Sequence, residues 1–171
     1  MAGIAWQTGL LAGLAKAGVD VGVADFVLGT SAGSVVAVEA QTAEPALFDR
    51  SSGVDLVDAV AASCAVPAVW PPVTIGAHRY VDGGVRSINN VDLAEGHDRV
   101  LLVAVFVDPV TATQIESLTA QGATVEVITP DDHAIEVIMS DPLAPENRLP
   151  AANAGLAQAE SVLAAAIRWL G

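Results

Sequence analysis

The residues of this sequence best suited to chemistry are a serine set between two glycines and an aspartate followed by two glycines. Ser31 is the centre of Gly29-Thr30-Ser31-Ala32-Gly33, and a mostly apolar run precedes it. A Gly-x-Ser-x-Gly pattern between a strand and a helix is typical of a nucleophile elbow, where small flanking residues let both elements approach a strained serine. We therefore expect Ser31 to be a nucleophile, and the alternative is a glycine-rich turn that happens to contain serine.

A serine hydroxyl is a weak nucleophile until a base takes its proton. Asp82 comes at the end of a predicted strand, and Gly83 and Gly84 follow it. The two glycines let the backbone turn sharply and bring the carboxylate close to another loop. A carboxylate held by backbone amides in a dry pocket can serve as the base directly, so Ser31 and Asp82 are the expected catalytic pair. The alternative is that Asp-Gly-Gly is only a turn.

The three histidines are the other candidate bases. His78 lies in an alternating strand, where its side chain is expected to face solvent, and His97 lies in a polar turn, where it is expected to be exposed. His133 follows Pro130-Asp131-Asp132 late in the chain. An α/β-hydrolase places its histidine there, so a Ser-His-Asp hydrolase using His133 remains open.

The pattern of apolar residues predicts the elements that position these side chains. A strand over 20–28 leads into Ser31, and a helix follows it to about Ala40. The positive end of that helix would face a developing oxyanion, with the Ala32 N–H as the nearest donor. The other predicted elements are helices over 1–18, 51–64, 111–121 and 151–170, strands at 46–50, 73–75, 78–81, 100–107 and 123–128, and an irregular segment over 135–150.

Strands that alternate with helices predict an α/β protein with three α/β/α layers and a mostly parallel central sheet. Within the helix over 51–64, the apolar face formed by Val57, Val60, Ala61 and Cys64 is expected to be buried, with Cys64 as a small core residue. Trp70, in a proline-rich stretch, is expected to cover the core.

Composition limits the possible classes of function. The 171 residues predict a single domain over 1–171, and 53% of them are apolar, which is typical of a compact protein. The net charge is −13 and the seven basic residues are scattered, so nucleic acid and strongly anionic membranes are poor partners. A single cysteine and the lack of a signal peptide or a membrane-spanning run favour a cytoplasmic protein.

The two motifs together resemble the patatin-like phospholipase family of serine hydrolases. Gly29-Thr30-Ser31-Ala32-Gly33-Ser34 and Asp82-Gly83-Gly84 are similar to its nucleophile and aspartate motifs, and Ala62-Ser63-Cys64-Ala65-Val66-Pro67 is similar to its Ala-Ser-x-Ala-x-Pro segment. A first helix with Ala5-Trp6 and Gly9-Leu10-Leu11 also fits. The resemblance implies a Ser-Asp dyad that hydrolyses acyl esters of lipid-like substrates, with Ser31 as nucleophile and Asp82 as base, and without metal or cofactor.

The sequence departs from the family in two places. The family has a strand and a glycine-rich oxyanion loop before the first helix, and of that loop only Gly3 has a counterpart here. The segment between Ser31 and Asp82 is also short for the family, so the chain is expected to be a truncated form. Gly3 and Ala32 are the implied oxyanion donors. The alternative is a shortened scaffold that binds or assembles, as a homo-oligomer for example, without catalysis.

Overall fold

A computed structural model describes residues 1–31 and 36–171 of the protein, which contain both helices and strands. The helices are α1 (Ala2–Lys16), α2 (Leu56–Ser63), α3 (Pro109–Ala120), α4 (Asp132–Ser140) and α5 (Arg148–Leu170). The strands are β1 (Val36–Glu39), β2 (Pro45–Leu47), β3 (Val73–Ile75), β4 (His78–Asp82), β5 (Arg99–Val103) and β6 (Thr124–Ile128). The predicted α/β class is therefore confirmed.

The described residues form two compact units. Unit 1 comprises Met1–Asp25, Ala94–Val107 and Ala112–Gly171, and unit 2 comprises Phe26–Leu93 and Asp108–Thr111. That the whole chain is one domain stays a prediction. Across the ranges that are described, none of the helices is both long and apolar enough to cross a membrane.

The core of unit 1 lies where α1 packs against α5. Trp6, Leu10 and Leu14 lie on one face of α1 and are completely buried. The Trp6 indole N–H donates to Gln158 Oε1 at 2.9 Å, and the Gln158 amide donates to the Thr129 carbonyl at 2.7 Å. Each of these buried polar groups thus has a partner, and the bonds fix the rotation of α5 against α1.

Two glycines let α1 and α5 approach closely. A Cβ atom at Gly9 would lie 1.9 Å from the carbonyl oxygen of Ala152, and one at Gly155 would lie 2.1 Å from that of Trp6. We expect Gly9→Ala to lower the free energy of unfolding by about 1–3 kcal/mol, because the backbones must separate. Urea denaturation measures this change. Ala12→Ser, on the exposed side of α1, is the matched control, and an equal loss in both variants would contradict the explanation.

Unit 2 is built on an antiparallel sheet in the order β2-β1-β4-β3. In the pairing of β1 with β4, Ala37 lies opposite Asp82 and Val38 lies opposite Val81. Helix α2 covers this sheet through Ala59 and Ala62, which are buried in one cluster with Ala37 and Phe48. The strands predicted at 73–75 and 78–81 are therefore confirmed, and they pair as the antiparallel β3 and β4. The helix predicted over 51–64 is confirmed as the shorter α2, because Asp55 caps it by accepting the Val57 N–H.

The prediction of a mostly parallel central sheet is wrong for this larger sheet. Only β5 and β6, in unit 1, pair in parallel among the described strands. The helix expected up to Ala40 is also wrong, because Val36–Glu39 forms β1. Val36 and Val38 are β-branched residues, and pairing with β2 on one side and β4 on the other outweighs the weak helical pattern. The three-layer arrangement stays a prediction.

Two further predictions fail because a local side-chain bond decides the structure. Over 20–28 the expected strand is absent from the described residues: Asp20 Oδ1 accepts the Gly22 N–H at 2.8 Å and caps a 3₁₀ turn. Over 135–150 the expected irregular segment is largely helical. Asp131 Oδ1 accepts the Ala134 N–H at 2.8 Å and starts α4, and α5 begins at Arg148.

Candidate active site

Asp82 lies at the end of β4, where the sequence predicted it. Its side chain is 4% exposed, and Oδ1 accepts the Gly84 N–H at 2.7 Å. This bond makes Asp82 the cap of a 3₁₀ turn over Gly83–Val85. The other oxygen, Oδ2, is buried and has no hydrogen-bond partner in the part of the chain that is described. A buried carboxylate oxygen without a donor is costly for stability, which is typical of a group kept for chemistry.

Gly83 allows the Asp82 turn to lie against the backbone of β1. A Cβ atom at Gly83 would lie 2.4 Å from the carbonyl oxygen of Val36, a distance that no side chain tolerates. The first glycine after Asp82 is therefore required by close packing of the backbone. Gly84 supplies the N–H that holds the carboxylate. One glycine is thus needed for its small size, and the other contributes through its amide.

Ser31 lies in unit 2, the same compact unit as Asp82. Its backbone φ is +53°, a left-handed conformation that is uncommon for any residue except glycine. The preceding Thr30 forms a parallel bridge with Val36, the first residue of β1. A serine held in a strained conformation beside a strand is what a nucleophile elbow requires. Gly33 and Ala32, the other elbow residues, lie outside the described residues, as does the predicted oxyanion role of Ala32.

Ser63 at the end of α2 ties Ser31 to the sheet. Its hydroxyl is completely buried, accepts the Ser31 N–H at 3.1 Å and donates to the Val36 carbonyl at 2.6 Å. Ser63 was not among the functional residues that the sequence predicted. Its position in the Ala-Ser-x-Ala-x-Pro segment was the signal that could have indicated one, because a hydroxyl can donate and accept at the same time.

Cys64 is placed differently from the prediction. It is half-buried at the C-terminal cap of α2, and its thiol donates to the Ser31 carbonyl at 2.9 Å. The buried face of α2 is instead Ala59, Ala62 and Ser63, whereas Val57 is 74% exposed. The prediction chose the wrong face because valines were given more weight than alanines. The alanines are small enough to let α2 lie close to the sheet.

The segment after α2 exposes apolar side chains. Trp70 is 60% exposed, so the prediction that it covers the core is wrong. Three prolines between 67 and 72 restrict the backbone here and hold the segment away from regular structure. The apolar residues of unit 2 that are exposed on α2 and in this segment are Leu56, Val57, Val60, Val66, Val69 and Trp70.

A second buried polar group, Asn90, lies next to the Asp82 turn. Its carboxamide Nδ2 donates to Thr30 Oγ1 at 3.0 Å, to the Gly83 carbonyl at 3.2 Å and to the Ser87 carbonyl at 2.6 Å. Asn90 was missed in the sequence analysis. A polar residue eight positions after Asp82 carries no local signal, and its partners are known only from the tertiary structure.

Arg86 and Asp92 form an ion pair beside Asn90. Arg86 Nη1 and Nη2 donate to the two carboxylate oxygens of Asp92 at 3.0 and 2.5 Å, and Nη1 also donates to Asn90 Oδ1 at 2.8 Å. The hydrogen bond from Arg86 holds the pKa of Asp92 below its usual range, and the same bond raises the pKa of Arg86. Both groups are therefore charged at neutral pH.

The other predicted site residues lie as follows. His78 is exposed on β4, as predicted. His97 was expected to be exposed, but it is half-buried, and its Nδ1 lies 3.2 Å from the Ala94 carbonyl oxygen. His133 is exposed near the start of α4, in unit 1. Gly3 is the second residue of α1, also in unit 1, and the oxyanion role of its amide stays a prediction.

A comparison with models of known protein families found a match in the region that contains Asp82. Residues 38–95 match the family model described as patatin-like phospholipase. This stretch includes α2, the β3–β4 hairpin, the Asp82-Gly83-Gly84 turn and Asn90, whereas Ser31 lies outside it. A search of the curated proteins found no match. Over residues 38–95 this chain is thus similar to patatin-like phospholipases, the family that its motifs resemble.

Proposed function

We propose that this protein is a patatin-like serine acyl-ester hydrolase of the lipid acyl hydrolase type, which acts in lipid degradation through a Ser31-Asp82 dyad. The observation that carries the proposal is the Asp82 carboxylate. One of its oxygens is fixed by the Gly84 N–H, and the other is buried without a partner among the described residues. Such an oxygen is well suited to accept a proton from a hydroxyl group.

The proposed reaction has two steps. Ser31 Oγ attacks the ester carbonyl carbon while Asp82 Oδ2 accepts the hydroxyl proton. Backbone amides, with Gly3 and Ala32 as the proposed donors, stabilise the oxyanion. The intermediate collapses, and the leaving alkoxide takes the proton from Asp82. Water then attacks the acyl-serine, gives a proton to Asp82 and releases the carboxylic acid, after which the proton returns to Ser31. The atoms balance without metal or cofactor.

Labelling with a fluorophosphonate probe tests the proposed function directly. This probe reacts with an activated serine hydroxyl and loses fluoride. We expect one adduct on the native chain, located by peptide mass spectrometry at Ser31. A chain that is folded by circular dichroism but stays unlabelled, and does not hydrolyse p-nitrophenyl acetate, would contradict the proposal.

A lipid-like substrate fits the exposed apolar side chains of α2 and the segment after it. The Cys64 thiol at the end of α2 contacts the backbone of Ser31, so this apolar segment begins next to the proposed nucleophile. Apolar side chains with an exposed tryptophan favour contact with acyl chains at a lipid surface. The net charge of −13 favours neutral or zwitterionic lipids over anionic ones.

We expect Trp70→Ser to lower turnover of a short-chain phosphatidylcholine above its micellar concentration by about 10-fold, because the lost indole contact weakens binding to the lipid surface. Turnover of the same lipid as dissolved monomers should change by less than about twofold. Met139→Ser, at an exposed methionine of unit 1, is the matched control. A drop of similar size on monomers and micelles would argue against a surface contact.

A scaffold that binds without catalysis is the second candidate. One observation favours it: residues 36–39 form β1, so the helix predicted to direct its dipole at the oxyanion is not formed by these residues. Loss of one oxyanion donor can cost about 10²- to 10³-fold in rate. The labelling experiment separates the two candidates, because a scaffold needs no activated serine.

We also propose that the protein is a single domain, that it is cytoplasmic and that it can form a homo-oligomer. These three proposals are supported by the sequence alone.

A further inference from the structure

Asn90 has an unusually complete set of partners for a buried amide. Its side chain is completely buried and its φ is +48°, a conformation that asparagine tolerates better than most residues. The two Nδ2 hydrogens are shared among Thr30 Oγ1 and the carbonyls of Gly83 and Ser87, and Oδ1 accepts from Arg86. Every polar atom of the carboxamide is therefore satisfied.

The ion pair fixes which way this amide points. Because Arg86 can only donate, the oxygen of the Asn90 carboxamide must face it, and the NH2 group must face Thr30 and Gly83. Asp92 holds Arg86 by two hydrogen bonds, which limits the motion of the guanidinium group. The NH2 group of Asn90 is thus oriented in advance by charged groups on the far side of the amide.

The partners of Asn90 are the immediate neighbours of both proposed catalytic residues. Thr30 precedes Ser31, and Gly83 follows Asp82. One planar group therefore joins the loop of the nucleophile to the loop of the base. Catalytic groups must be held within about 0.5 Å of their productive geometry, and a misplacement of about 1 Å can cost 10²-fold in rate.

We propose that Asn90 is a positioning residue, which holds the Thr30-Ser31 loop at a fixed distance from the Asp82-Gly83 turn through its bond to Thr30 Oγ1. This inference rests on the proposed function, because it concerns the same dyad. Asn90 itself does not touch the substrate or transfer a proton. Its role is to keep the Ser31 hydroxyl within reach of Asp82 Oδ2.

Thr30→Val is the sharpest test, because it keeps the shape of the side chain and removes only the hydroxyl that accepts from Asn90. We expect the kcat for p-nitrophenyl acetate and the rate of fluorophosphonate labelling to fall about 10-fold, with KM within about twofold. Thr30→Ser, which keeps the hydroxyl, should retain the kcat of the unmodified chain. A purely structural role would not restore kcat selectively in the serine variant.

Asn90→Gly supplies the second half of a double-mutant cycle, because glycine tolerates the positive φ while the carboxamide is lost. The double variant with Thr30→Val should be no slower than Asn90→Gly alone, since both changes remove the same bond. Asn89→Ala is the matched control, because Asn89 Nδ2 donates instead to Thr111 Oγ1 at 3.0 Å. Its kcat is expected to stay within about twofold.

The outcomes separate the inference from the function on which it rests. An unmodified chain that is not labelled overturns both. An active chain whose Thr30→Val variant keeps full kcat, or loses activity only in proportion to its folded fraction in urea titrations, overturns the positioning role alone. Additive losses in the double variant overturn it as well, because they would mean that Thr30 and Asn90 act through different contacts.

Discussion

Asp82→Asn is expected to lower the kcat for ester hydrolysis by about 10²- to 10⁴-fold, the range found when a general base is removed. The asparagine oxygen can still accept the Gly84 N–H, so the 3₁₀ turn at Gly83–Val85 should form. The amide nitrogen in place of Oδ2 cannot accept a proton from Ser31. The change therefore removes the chemistry while it preserves the shape of the turn.

Hydrolysis of p-nitrophenyl acetate measures this effect, and far-ultraviolet circular dichroism with a urea titration checks the fold. His133→Ala is the variant to compare with Asp82→Asn, because His133 is the base in the Ser-His-Asp alternative. We expect its kcat to stay within about twofold of that of the unmodified chain. If instead His133→Ala removes turnover and Asp82→Asn keeps it, the dyad is wrong and the histidine mechanism takes its place.

Ser31→Ala is expected to abolish fluorophosphonate labelling and to lower kcat by at least about 10³-fold, because no other group forms the acyl intermediate. The bond from the Ser31 N–H to Ser63 and the bond from Cys64 to the Ser31 carbonyl both involve the backbone and survive the change. Ser31→Ala should therefore lose activity while the loop around residue 31 keeps its conformation. Turnover and labelling by Ser31→Ala at the rate of the unmodified chain would exclude Ser31 as nucleophile.

Ser31→Gly adds a stability measurement to the same position. The φ of +53° is strained for serine but not for glycine, and strain of this kind costs on the order of 1–3 kcal/mol. We expect Ser31→Gly to be as inactive as Ser31→Ala. We also expect it to unfold at a urea concentration at least as high as that needed to unfold the unmodified chain. A residue that is strained in the native state and gains stability when it is removed is typical of a functional site. A clear loss of stability in Ser31→Gly would contradict the strain argument.

The sequence determined the identity of the candidate site residues and much of the local structure. Asp82-Gly83-Gly84 was predicted as a sharp turn after a strand, and β4 ends at Asp82 as expected. The hairpin of β3 and β4, α3, β6, most of α5 and the N-cap of α2 also follow from local patterns. These features depend on neighbours in the sequence, which is why short-range rules find them.

The tertiary structure alone decided which residues surround the candidate site and which way the main sheet runs. Val36–Glu39 forms a strand because β2 and β4 pair with it, and local propensity does not predict such pairing between distant segments. Ser63 and Asn90 take their partners from residues distant in sequence, at Ser31 and Thr30. Small alanines rather than valines face the sheet from α2, because close packing of the backbone favours them there. The motif residues can therefore be recognised from the sequence alone, whereas the hydrogen bonds that hold their loops form only when distant segments meet in the fold.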